Sequence, residues 1–111
     1  MGSKVRNELL PGTLDMLVLK AITSGALHGY AIAQLLRQVS SDFLQVEEGS
    51  LYPALQRLEL NGYIQGEWST TANNRRARVY KVTAAGRKQL QSEVERYHRM
   101  TTAIESILGW A

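Results

Sequence analysis

The sequence predicts a mainly α fold with a small β-hairpin: three short helices, the hairpin, then one long helix. Three observations predict it. Apolar residues recur at helical spacing over residues 13–22, 28–40 and 47–63. Two short stretches, 63–71 and 77–83, flank the polar segment "TANNRR" and read as paired strands. From residue 84 onward a four-three apolar repeat runs too far for a small body to cover it.

The elements follow in order. Residues 1–12 contain the turn pair Pro11-Gly12 and read as an N-terminal arm. In "TLDMLVLKAI", Thr13 is the expected cap, Leu14, Leu17, Val18, Ala21 and Ile22 the inward face, and Gly25 the stop. In "HGYAIAQLLRQVS", Gly29 opens a second helix whose stripe is Ile32, Leu35, Leu36 and Val39. "DFLQVEEG" suggests a brief strand. The third helix, in "EEGSLYPALQRLELNGY", has Leu51, Leu55 and Leu58 inward; Pro53 belongs in a first turn, so the helix starts near Glu48 to Ser50. Asn61-Gly62 ends it. In the hairpin, Ile64 and Trp68 share one face of the first strand, while Tyr80 and Val82 lie opposite Val79 on the second. Thr83 caps the last helix, and Gly86 falls in its first turn, where low helix propensity costs little. This is a winged helix-turn-helix plan (residues 13–83) with an added C-terminal helix (84–111).

That last helix, about 40 Å long, asks for a partner. Leu90, Val94, Tyr97, Thr101, Ile104 and Leu108 form a seam suited to another helix. We expect a two-fold dimer through it, with the first helix taking part; the competing reading folds the helix back on its own domain.

Charge is unevenly placed. Lys plus Arg number 13 and Asp plus Glu 10, a mild bias toward polyanions. Yet residues 73–88 hold Arg75, Arg76, Arg78, Lys81, Arg87 and Lys88 with no acid. A solvated charged loop is the plain reading. A hairpin tip of one sign is better explained by phosphates set against it. In a helix-turn-helix the second helix of the pair enters the major groove by its N-terminal end. Here that end offers Ser50, Tyr52, Pro53, Gln56 and Arg57 outward. Ser50 and Gln56 can bond bases or phosphates, and Arg57 can pair with guanine or phosphate. Equally, Tyr52 can be packing, Pro53 a helix start, and Arg57 half of a surface pair with Glu47 or Glu59. Gly29 leaves backbone N–H groups open to a phosphate, with the Tyr30 hydroxyl beside them; alternatively Gly29 permits a tight turn and Tyr30 packs on the third helix.

Cysteine is absent, which fits the cytoplasm and removes thiolate chemistry. No apolar run is long enough to span a membrane, and no signal or transit peptide is legible. The two histidines, His28 and His98, form no HExxH pair; there is no P-loop and no nucleophile–base pair. We expect neither enzyme activity, nor metal, nor cofactor. The remaining alternative to a DNA-binding regulator is a winged domain that meets an acidic protein partner.

"LLPGTLDMLVLKAI", "HGYAIAQLL", "EEGSLYPALQRLELNGYI" and "RRARVYKVTAAGRKQL" resemble the PadR family of bacterial transcription regulators over residues 9–108. The resemblance implies a homodimeric winged-helix repressor that binds double-stranded DNA at a palindromic operator. It places Ser50, Tyr52, Pro53 and Gln56 on the recognition helix, Arg75, Arg76 and Arg78 on the wing, and Tyr30 at the start of the second helix. The single C-terminal helix points to the short subfamily. Some short members bind flat apolar compounds between their C-terminal helices, stacked on a Trp; here Tyr97 takes that position, with Trp110 placed to close such a cavity. Tyr97 as plain dimer core is the competing reading.

Overall fold

A computed structural model describes residues 12–110; the arm expected over residues 1–12 lies outside them except for Gly12. The helices are α1 (Thr13–Ala21), α2 (Gly29–Val39), α3 (Glu48–Leu60) and α4 (Ala84–Leu108). The strands are β1 (Leu27–His28), β2 (Ile64–Thr70) and β3 (Arg76–Val82). They form one antiparallel sheet in the order β1-β3-β2.

The third strand is not where the sequence suggested. β1 precedes α2 and pairs Leu27 with Tyr80 and His28 with Val79. Two residues show no alternation, so nothing local announces them. The expected strand over 42–49 does not form. Ser41 and Asp42 both have positive φ, 54° and 67°. Asp42 N–H donates to the Arg37 carbonyl and Ser41 N–H to that of Gln38, so a left-handed end closes α2 with serine in the place glycine usually fills.

Three other local expectations change. Thr13 does not cap α1; Gly12 does, at φ 89°, and α1 ends at Ala21, before Gly25. α1 buries Met16 and Leu19 as well as Leu14, Val18 and Ala21, because α2, α3 and α4 all contact it. Val39 is 76 % exposed, so the α2 stripe reaches the core through Ile32 and, less fully, Leu35 and Leu36.

α3 begins at Glu48, which puts Pro53 in the second turn and not the first. Proline removes the N–H that the Gly49 carbonyl would have used; Gly49 is exposed, so water can serve that oxygen. α3 seats Leu51, Ala54, Leu55 and Leu58 in the core. There they meet α1, Ile32, Ile64 and Tyr80. Its end is a glycine stop: Gly62 at φ 77°, Tyr63 N–H to the Leu58 carbonyl, and Gly62 N–H to that of Glu59.

The start of α4 is locked to that stop. The Thr83 hydroxyl accepts from Gly86 N–H at 3.0 Å and donates to the Gly62 carbonyl at 2.7 Å. Thr83 N–H donates to the Tyr63 carbonyl at 3.0 Å. Gly86 is buried against that same carbonyl: a Cβ there would overlap the Tyr63 oxygen and approach Val82 Cγ2 to 2.8 Å. Its role is close approach, which propensity alone missed. Gly86→Ala should therefore cost about 2 kcal/mol through backbone displacement, read as a lower urea midpoint; an unchanged midpoint would refute this packing.

Candidate nucleic-acid interface

α3 turns its apolar side to the core and presents Ser50, Tyr52, Pro53, Gln56 and Arg57 on the exposed side. Beside it, β2 and β3 project as a hairpin. Its tip is built by Asn74 at φ 60°, with Asn74 N–H donating to the Thr71 carbonyl and Thr71 N–H to that of Arg75. Arg75 N–H also donates to Thr71 Oγ1 at 3.2 Å. The asparagine pair thus serves the turn, as its residue type suggested.

The basic stretch is less uniform in space than in sequence. Arg78 Nη2 lies 2.6 Å from Glu59 Oε2 on α3. Lys81 Nζ lies 3.7 Å from Glu67 Oε2 on the neighbouring strand. Acids distant in sequence thus answer two of the six charges. Arg87 Nη2 donates to the Thr23 carbonyl at 3.1 Å, joining α4 to the end of α1. Among the described residues, Arg75 and Arg76 form no ion pair. Both are exposed, and they stand at the tip.

Arg57 finds its acid across the fold, on α1. Its partner is Asp15 in the first turn of α1, with Nη2 to Oδ1 at 2.7 Å and Nε to Oδ2 at 3.4 Å. That hydrogen bond holds the Arg57 pKa above its ordinary value. The sequence offers no sign of Asp15 as a partner and suggests Glu59 only for Arg57, because the bases these acids meet are 42 and 19 residues away. Glu47 is the N-cap of α3, without a side-chain cap bond.

Gly29 lies buried at the start of α2. A Cβ there would meet Tyr52 Cε1 at 3.2 Å and the Tyr52 hydroxyl at 3.3 Å. The ring of Tyr52 therefore lies over Gly29, joining the two helices of the motif, while 43 % of the residue stays exposed. Tyr30 does not pack on α3: it is exposed, with its hydroxyl accepting from Gln34 Nε2 at 3.4 Å.

α4 has two halves. Leu90 and Val94 are partly covered. With Tyr97 they line a groove against Met16 and Leu17 of α1. Beyond it Tyr97, Met100, Ile104, Ile107 and Leu108 are exposed apolar residues, Met100 and Ile107 widening the expected seam. Folding back on its own domain thus accounts for the first turns of α4 and not for the last. Trp110 is exposed. Among the described residues, no helix is long and apolar enough to cross a membrane.

A family described as the transcriptional regulator PadR-like family matches residues 18–92. A transcriptional regulator of Mycobacterium tuberculosis is 34 % identical over 76 residues, 68 % of this chain and 67 % of that protein. Among solved structures, a PadR family transcriptional regulator from Eggerthella lenta superposes with a TM-score of 0.79 at 26 % identity, covering 97 % of this chain and 88 % of that one. A transcriptional regulator from Clostridium thermocellum gives 0.79 at 27 % identity, covering 86 % and 92 %.

The two classes of arginine should separate in a thermal melt. Arg57→Ala removes a half-exposed pair worth about 0.5 kcal/mol and should lower Tm by about 3 °C. Arg75→Ala should leave Tm unchanged; an equal fall for both would contradict the assignment of Arg57 to the fold.

Proposed function

The chain belongs to the PadR-like family of DNA-binding transcriptional regulators, and from that premise we propose that it is a cytoplasmic homodimeric repressor of a palindromic operator. α3 is its recognition helix and the β2–β3 hairpin its wing. The observation that carries this reading is the placing of charge. Among the described residues no acid pairs with Arg75 or Arg76 at the wing tip, while Ser50, Pro53 and Gln56 face outward from the N-terminal half of α3. Charge left uncompensated at one projecting point is tolerated when an anion comes to meet it.

The parts then take different work. Gln56 and Ser50 offer hydrogen bonds to base edges. The Tyr30 hydroxyl and the exposed edge of Tyr52 flank them at the start of α2, within reach of the backbone that borders the groove. Arg75 and Arg76 supply the sequence-independent term. Arg57, Arg78 and Lys81 contribute less to phosphate binding than their sign suggests, since each already faces a carboxylate.

Dimerisation runs through the second half of α4. An exposed stripe of Tyr97, Met100, Ile104 and Leu108 on a helix of about 37 Å is covered when two such helices pair. Two-fold pairing sets the recognition helices against half-sites about one helical turn apart. A flat apolar effector would enter this seam beside Tyr97, under Trp110, and release DNA by changing the angle between protomers.

Exchanging both Arg75 and Arg76 for Ala should weaken binding to all duplexes alike. It should also flatten the slope of log affinity against log salt by about three to four for the dimer. A slope equal to that of the wild type would remove the wing from the phosphate contact. Ile104→Asp should give monomers in sedimentation, since a seam carboxylate loses its water on pairing; an intact dimer would place the interface elsewhere.

A further inference from the structure

The wing carries an aromatic residue that this reading leaves unused. Trp68 lies directly opposite Arg78 in the β2–β3 ladder, and 58 % of it is exposed. The guanidinium carbon of Arg76 is 4.9 Å from its ring centroid and that of Arg78 is 5.6 Å. Both distances are within cation–π range. Alternate residues of a strand share a face, so Arg76, Arg78 and Tyr80 form one row, opposite Thr70, Trp68 and Gly66 in turn.

Arg78 is held at both ends. Its Nη2 donates to Glu59 Oε2 at 2.6 Å, and the same oxygen accepts from Gly66 N–H at 3.2 Å. Any Cβ at Gly66 would fall on the Arg78 guanidinium, so the glycine is the space that this arginine occupies. Arg78 also lies 5.8 Å from the Tyr80 ring centroid. The row therefore runs outward from α3 as Glu59, Arg78, Trp68, Arg76. Its inner cation is neutralised, and among the described residues its outer cation meets no acid.

The outer cation is where this has a consequence. An arginine that docks on a phosphate gives up rotamer freedom, and one already laid on an indole has given up part of it beforehand. We propose that Trp68 is a positioning residue for DNA binding: it holds Arg76 ready at the wing tip and acts through that guanidinium without touching the duplex. The proposal rests on the reading of the wing as a phosphate contact.

A double-mutant cycle tests it, using the full chain and a fluorescent duplex that carries a genome-selected site, with anisotropy recorded over a salt series. Trp68→Ala should weaken binding about fivefold and leave the salt slope as in the wild type, since the phosphates contacted are the same. Trp68→Tyr should recover most of the loss. Arg76→Ala should flatten the slope, and the double variant should bind as Arg76→Ala alone does. Losses that add, a flatter slope in Trp68→Ala, or no loss at all would overturn the proposal. Should the alanine variant melt early, the tyrosine variant carries the cycle: it must bind between wild type and Arg76→Ala, and its loss must vanish in the Arg76→Ala background. A wild type whose affinity ignores both salt and Arg76→Ala fails differently, by removing the phosphate reading itself.

Discussion

One carboxylate oxygen joins the helix to the hairpin. Glu59 Oε2, near the end of α3, takes a hydrogen bond from Arg78 and another from Gly66 N–H. Besides it, Ile64 and Tyr80 pack in the core with α3 at the inner ends of β2 and β3, and β1 pairs with Val79 and Tyr80 of β3; the bond to Arg78 ties the hairpin one step farther out. With it, a charged side chain and a backbone amide on opposite strands are referred to one point on α3. The cost is one cation: Arg78 is spent on the fold, and the charge available to a polyanion moves outward to Arg75 and Arg76.

A second constraint fixes the other side of the domain. Gly62, Tyr63, Thr83 and Gly86 are tied together where α3 ends and α4 begins, by one backbone hydrogen bond and by both bonds of the Thr83 hydroxyl. Gly86 lets α4 sit directly on the Tyr63 carbonyl. The direction of α4 is therefore referred to the same end of α3 as the wing. In the dimer we propose, a change in how two α4 helices cross would thus pass to α3 through these short hydrogen bonds. Such contacts transmit rotation better than long side chains, because their lengths vary little.

Much of this was legible in the sequence, and the misses share a cause. Helices α2, α3 and α4, the hairpin with its asparagine turn, and the Thr83 cap all have local signatures. What failed was non-local. β1 exists only because β3 offers it an edge. Arg78 and Lys81 meet Glu59 and Glu67 through the fold, so six bases without an intervening acid overstate the free charge; Arg57, outside that stretch, meets Asp15 in the same way. Gly86 looked like a tolerated weak helix former, yet it is the point where two backbones touch. Tyr52 could be read as contact or as packing; it covers Gly29 and keeps an exposed edge. Alternation places Trp68 on the face of Ile64, but only the folded hairpin brings Arg78 and Arg76 to its ring.

In the arrangement we propose, two protomers present two α3 tips and two cationic wings at a separation fitted to successive turns of one duplex. The most direct measurement is a spacing series on a genome-selected palindrome, with stoichiometry read by sedimentation. Two protomers should bind one duplex tightly at the native spacing, and inserting about five base pairs, half a helical turn, between the half-sites should abolish that tight complex. Binding of a single protomer, or affinity indifferent to the insertion, would contradict the account.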